Sequence, residues 1–86
     1  MEYYLKDEQT LIEQQEKIRK SIAEQFMKAR KNQHLTQEEL ANKLNIKRPN
    51  ISRFESGVYN PTIDMLVKIA DCLGLDLVVE LKLKEE

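Results

Sequence analysis

Neither glycine nor proline occurs before Pro49. These two residues are the strongest local breakers of regular structure, so the first half of the chain is free to be helical. Its content agrees. Glu13 with Lys17, Glu16 with Lys20 and Glu24 with Lys28 are i,i+4 pairs in the favourable orientation. Leu11, Ile18, Ile22, Phe26 and Ala29 form an apolar stripe at helical spacing. Thr10 with Glu13, Ser21 with Glu24 and Thr36 with Glu39 have capping-box spacing. The expectation is a long helix from about Asp7 or Thr10 to Asn32, with Ser21 as a candidate interruption.

Past His34 the punctuation returns. Thr36 predicts a cap for a short helix, Gln37 to Leu44, and Asn45, Ile46 and Lys47 predict a tight turn. A third helix runs from Arg48 to Ser56, with Pro49 tolerated in its first turn because no intrahelical N–H bond is lost there. Gly57 suits its left-handed end. Val58 to Pro61 reads as a loop. Thr62 then caps a fourth helix through Leu73, presenting Ile63, Leu66, Ile69, Ala70 and Leu73, and Gly74 closes it. In the tail the period changes to two: Leu75, Leu77, Val79, Leu81 and Leu83 alternate with Asp76, Val78, Glu80, Lys82 and Lys84. That is a half-buried β-strand. No second strand is evident, and a lone strand leaves a row of N–H and C=O groups unpaired. Its expected partner is another chain.

Composition narrows the function. Eighty-six residues make one small domain, a size that buries only about 60% of its unfolded surface and so favours dimerisation. The single cysteine, Cys72, cannot form an intrachain disulfide, and with one histidine, His34, it cannot build a structural zinc site. With two glycines there is no phosphate-cradling loop. No nucleophile–base pair is identifiable, so neither an enzyme, a cofactor nor a metal is expected. No run of about 18 apolar residues is present and the N-terminus lacks a signal-peptide pattern. The expected setting is soluble and cytoplasmic, without a membrane partner.

The net charge of −1 hides a pattern: residues 1–20 sum to −1, residues 21–73 to +2 and residues 74–86 to −2. Lys43, Lys47, Arg48 and Arg53 follow one another with no acid between them, and Lys28, Arg30 and Lys31 form a second cluster. Phosphates feel the local field, so a mildly acidic total does not exclude nucleic acid. The stretch QEELANKLNIKRPNISRFES supplies the scaffold: two short helices, a three-residue turn, small Ala41 where they cross, and Ile46 and Ile51 to fasten them. This is a helix-turn-helix, whose second helix enters the DNA major groove.

From about Ile22 to Leu75 the chain resembles the Xre/Cro phage-repressor helix-turn-helix family, through LTQEELANKL, RPNISRFESG and NPTIDMLVKIADCLGL in that order. The tail and N-terminal extension are also similar to HigA-type antitoxins. The resemblance implies a mainly α, lambda-repressor-like bundle, here with a long N-terminal helix and one C-terminal strand. It implies roles for particular residues. Gln37 matches a position that contacts phosphate and sometimes base. Arg48, Pro49 and Arg53 match base-facing positions, with Asn50 and Ser52 beside them. Tyr59 and Asn60 match a backbone-contacting loop, and Arg30 with Glu55 a buried ion pair. Lys43 and Lys47 are backbone contacts or solvated charges. Three departures stand out: His34 and Asn45 replace helix-ending glycines, Lys47 replaces a Ser or Thr cap, and the loop from Val58 to Pro61 has no Lys or Arg.

The expected division is an N-terminal helical extension (1–20), a DNA-binding domain (21–74) and a dimerising strand (75–86) carrying Leu75, Leu77, Val79, Leu81 and Leu83. The expected function is a repressor that binds double-stranded DNA as a homodimer on a palindromic operator, either alone or as the antitoxin of a toxin protein. The alternative is a protein-interaction adaptor that keeps the scaffold without reading DNA. Tyr3, Tyr4 and Leu5 are either an anchor for a partner or a frayed end.

Overall fold

Asp7, not Thr10, opens the first helix in the computed structural model, which describes residues 7–84. Helix α1 spans Glu8–Asn32, α2 Gln37–Leu44, α3 Arg48–Glu55 and α4 Ile63–Cys72. The Asp7 carboxylate accepts from the Thr10 N–H at 2.8 Å and from its hydroxyl at 3.0 Å. These bonds hold the Asp7 carboxyl below the usual carboxylate range, the Thr10 backbone N–H contributing most. Of the three capping-box spacings, only Thr36 with Glu39 is one: the Glu39 N–H donates to the Thr36 hydroxyl, and the Thr36 N–H to the Glu39 carboxylate, both at 3.0 Å. Ser21 does not interrupt α1; its hydroxyl accepts from the Gln25 side chain one turn on. Tyr3, Tyr4 and Leu5 lie outside the described residues.

Three of the four helices end alike. After α1, His34 N–H donates to Lys31 O and Leu35 N–H to Arg30 O; after α2, Asn45 to Asn42 and Ile46 to Ala41; after α4, Gly74 to Asp71 and Leu75 to Ala70. This is the Schellman closure, which needs a left-handed residue just past the helix. His34 and Asn45 fill that place at φ 57° and Gly74 at 69°. The absent glycines therefore leave the geometry intact at the expense of strain in a side-chain-bearing residue. His34→Gly is expected to raise stability by about 0.5–1 kcal/mol in urea denaturation, whereas Asn32→Gly, inside α1, is expected to lower it.

The core is Leu40, Ala41, Ile51, Phe54, Leu66, Ile69 and Leu73, with Ile22, Phe26 and Ala29 of α1 packed against it. Phe26 and Phe54 meet edge to face, with centroids 5.3 Å apart and planes at 72°, worth about 0.5–1.5 kcal/mol beyond area burial. Two sequence expectations are corrected here. The stripe of α1 reaches the core only in its second half: Leu11 and Ile18 are exposed, while Ala23 is buried against the bundle. On α4, Ile63 faces solvent and Met65 packs inward in its place. At the end of α3, Gly57 (φ 78°) lies so near α1 that a Cβ would come 3.0 Å from Lys20 Cγ and 3.2 Å from Lys20 Cα.

Residues 75–84 form no strand in the single chain, and the described residues hold no second strand to complete a ladder. Leu77 packs against the core, but Leu81 and Leu83 are 97% and 96% exposed. The alternation is therefore present without the hydrogen-bonding partner that a strand requires.

Candidate nucleic-acid interface

Helix α3 sorts its side chains by face. Ile51 and Phe54 are buried, whereas Pro49, Ser52 and Arg53 are exposed on the opposite side and Arg48 and Asn50, also exposed, lie on the two flanks. The burial of two residues three apart fixes the helix's rotation, and so aims the polar set outward. Lys43, at the last turn of α2, and Lys47, in the turn, are also exposed.

The start of α3 is built against its own stability. Its N-cap, Lys47, makes no side-chain capping bond, and no acid stands in the first turn. Lys47 and Arg48 instead place two cations at the positive end of the helix dipole, which disfavours an isolated helix and favours an incoming anion. Pro49 removes one N–H that would otherwise be orphaned there.

One network holds α3 to the rest. The Arg30 guanidinium donates from Nε to Glu55 Oε2 at 2.6 Å and from Nη2 to Glu55 Oε1 at 2.9 Å. Its Nη1 donates to Leu35 O at 2.7 Å, in the link between α1 and α2. The two ionic side chains are only 8% and 4% exposed. The hydrogen bond to Glu55 raises the Arg30 pKa further above its ordinary value, against the opposing effect of burial. Gln37, half-buried at the start of α2, donates to Glu55 Oε1 at 3.0 Å.

The remaining loop is split. Tyr59 is half-buried, packs against the core, and lines a recess with Asn50, Asp64, Met65 and Lys68. Asn60 is exposed beside it. Two cations from outside the motif adjoin these residues. Lys68 of α4 shares the recess of Asn50 and Tyr59, and Arg19 of α1 shares a groove with Asn60 and Pro61. Sequence reasoning missed both. Lys68 carries the weak signal of an i,i+4 spacing from Asp64; Arg19 carries none, since about forty residues separate it from the loop it flanks. Arg19 Nε is buried without a hydrogen-bond partner. Among the described residues no His, Cys, Asp and Glu cluster could hold a metal ion, and no helix is long and apolar enough to cross a membrane.

A family model described as helix-turn-helix, of the Xre and lambda-repressor-like kind, matches residues 26–79. No curated protein matches the chain. The match covers more than half of the sequence, and the chain belongs to that family of DNA-binding helix-turn-helix regulators.

Proposed function

We propose that this regulator is a sequence-specific repressor acting as a homodimer on a palindromic operator, with base reading by α3. The observation that carries the reading is the start of α3, where Lys47 and Arg48 stand at an uncapped N-terminus free of acids. Such an arrangement costs local stability and offers an incoming anion both the helix dipole and two cations. Arg48, Pro49 and Arg53 face the groove with Asn50 and Ser52 beside them, and Arg48 is suited to guanine O6 and N7. Lys43, Lys47, Gln37, Tyr59 and Asn60 serve the DNA backbone, with Lys68 and Arg19 flanking them. Residues 21–74 are the DNA-binding unit, residues 1–20 extend its first helix, and residues 75–86 join the two copies. Half-site centres then fall about 10 bp apart or at a multiple of that.

Selection from a random DNA library at low salt tests this. A palindromic motif should emerge. Arg48→Ala should cost about 1–3 kcal/mol on the selected site and relax one base position, while Lys43→Ala should weaken all sequences alike. A library from which nothing is enriched would leave the adaptor reading in its place.

A second reading is favoured by the exposed tail alone. Leu81 and Leu83, bare in the single chain, also suit addition of this segment to the sheet of a toxin protein by β-augmentation, which would make the chain an antitoxin as well as a repressor.

A further inference from the structure

We propose that Glu55 is a positioning residue for DNA binding. Clamped by Arg30, it holds the Gln37 side chain at the start of α2 so that the remaining amide N–H of Gln37 meets a backbone phosphate. The inference rests on the DNA-binding reading and names a device within it.

The chemistry fixes which way Gln37 points. An ionised carboxylate only accepts hydrogen bonds, so the NH2 group of Gln37, not its carbonyl, faces Glu55 Oε1 at 3.0 Å. One N–H of that group is used and one is left. The same oxygen accepts from Arg30 Nη2 while Oε2 accepts from Arg30 Nε, so Glu55 is a fixed acceptor, and Gln37 keeps its bond only in this one orientation. Arg30 also ties Leu35 O, the residue before the α2 cap. The link into α2, the first side chain of α2 and the last residue of α3 are thereby set by one guanidinium. In this motif the first helix of the pair crosses the DNA backbone while the second lies in the groove, so outward side chains of α2 lie within reach of phosphates. Glu39 is folded back onto the Thr36 N–H at 3.0 Å, so its carboxylate is turned to the cap. A free glutamine would lose several rotatable bonds on binding; one already held by Glu55 has lost them beforehand.

The test combines affinity, stability and side-chain dynamics. In the free wild-type protein, NMR of the Gln37 side-chain amide should show restriction like that of the backbone, with an order parameter of about 0.85, against below about 0.6 for exposed Gln15. Gln37→Ala should weaken DNA binding about tenfold per folded molecule, equally for all sequences, alongside the modest fall in melting temperature expected from removing one hydrogen bond to a buried carboxylate. The salt dependence should also be unchanged, because a neutral side chain releases no counterion. The double variant Arg30→Met, Glu55→Leu keeps the site apolar and packed; in that background Gln37→Ala should cost clearly less than tenfold. A mobile Gln37 amide, or a Gln37→Ala variant that loses stability but binds DNA normally per folded molecule, overturns the proposal. If Arg48→Ala weakens cognate binding while Gln37→Ala is silent, only this inference falls. If the wild type binds no DNA, both fall.

Discussion

Glu55→Ala is expected to lower the melting temperature by about 15–30 °C. Removing one partner of a buried ion pair strands the other charge and costs about 3–5 kcal/mol, and in a domain of this size each kcal/mol shifts the midpoint by about 4–8 °C. The stranded group would be Arg30, which has three of its N–H groups committed within the protein: two to Glu55 and one to Leu35 O. With the whole domain stabilised by only on the order of 5–10 kcal/mol, the variant would sit near its unfolding threshold. Glu38→Ala on the exposed face of α2 is the control, and its change should stay within about 0.5 kcal/mol. Thermal unfolding followed by circular dichroism separates the two. Replacing both partners, Arg30→Met with Glu55→Leu, should recover most of the loss, because neither charge then needs a partner. Equal shifts for Glu55→Ala and Glu38→Ala would mean that water already screens the pair.

The parts of this fold that could be read from sequence are those set by local chemistry. Thr36 and Thr62 each carry a hydroxyl placed to accept an N–H three residues on, and both cap their helices. Pro49 and the three-residue turn bound α3 without reference to the rest of the chain. The errors arise where tertiary contact decides. Thr10 and Ser21 have the same spacing to a glutamate as Thr36, yet α1 runs through both. An interior serine or threonine cannot cap a helix that continues before it, and Asp7 begins α1 three residues ahead of Thr10. Leu11, Ile18 and Ile63 fit an apolar stripe but find no core within one chain. On the candidate face, the motif fixes the outward set on α3 because Ile51 and Phe54 must turn inward. Arg19 was illegible and Lys68 nearly so, since only packing of α1 and α4 beside the loop brings them there. The bond from Gln37 to Glu55 was equally hidden, joining two helices across eighteen residues of sequence.

The tail yields the other large effect. Leu81→Lys with Leu83→Lys should leave the fold of the single chain untouched, because both side chains are already almost fully exposed, and should abolish the dimer if residues 75–83 are its seam. Two such strands pairing antiparallel across a dyad would satisfy each other's backbone groups and cover both leucines of each copy. Burying a leucine contributes about 1.5–3 kcal/mol, so losing four per dimer removes on the order of 6 kcal/mol or more. That corresponds to roughly a ten-thousandfold weaker association. Leu77 is kept in this variant because it packs on the core, which truncation at residue 75 would disturb. Sedimentation at micromolar concentration should find monomers, and binding to a full palindrome should fall far more than binding to a half-site, since the second contact is no longer tethered to the first. A variant that still sediments as a dimer would place the seam elsewhere, with the exposed first half of α1 next in line. The leucines would then be left for a partner's sheet. The dimer seam is the better-supported choice of the two, because an apolar strand edge left bare in an isolated chain invites aggregation, and self-pairing covers it without waiting for a second protein.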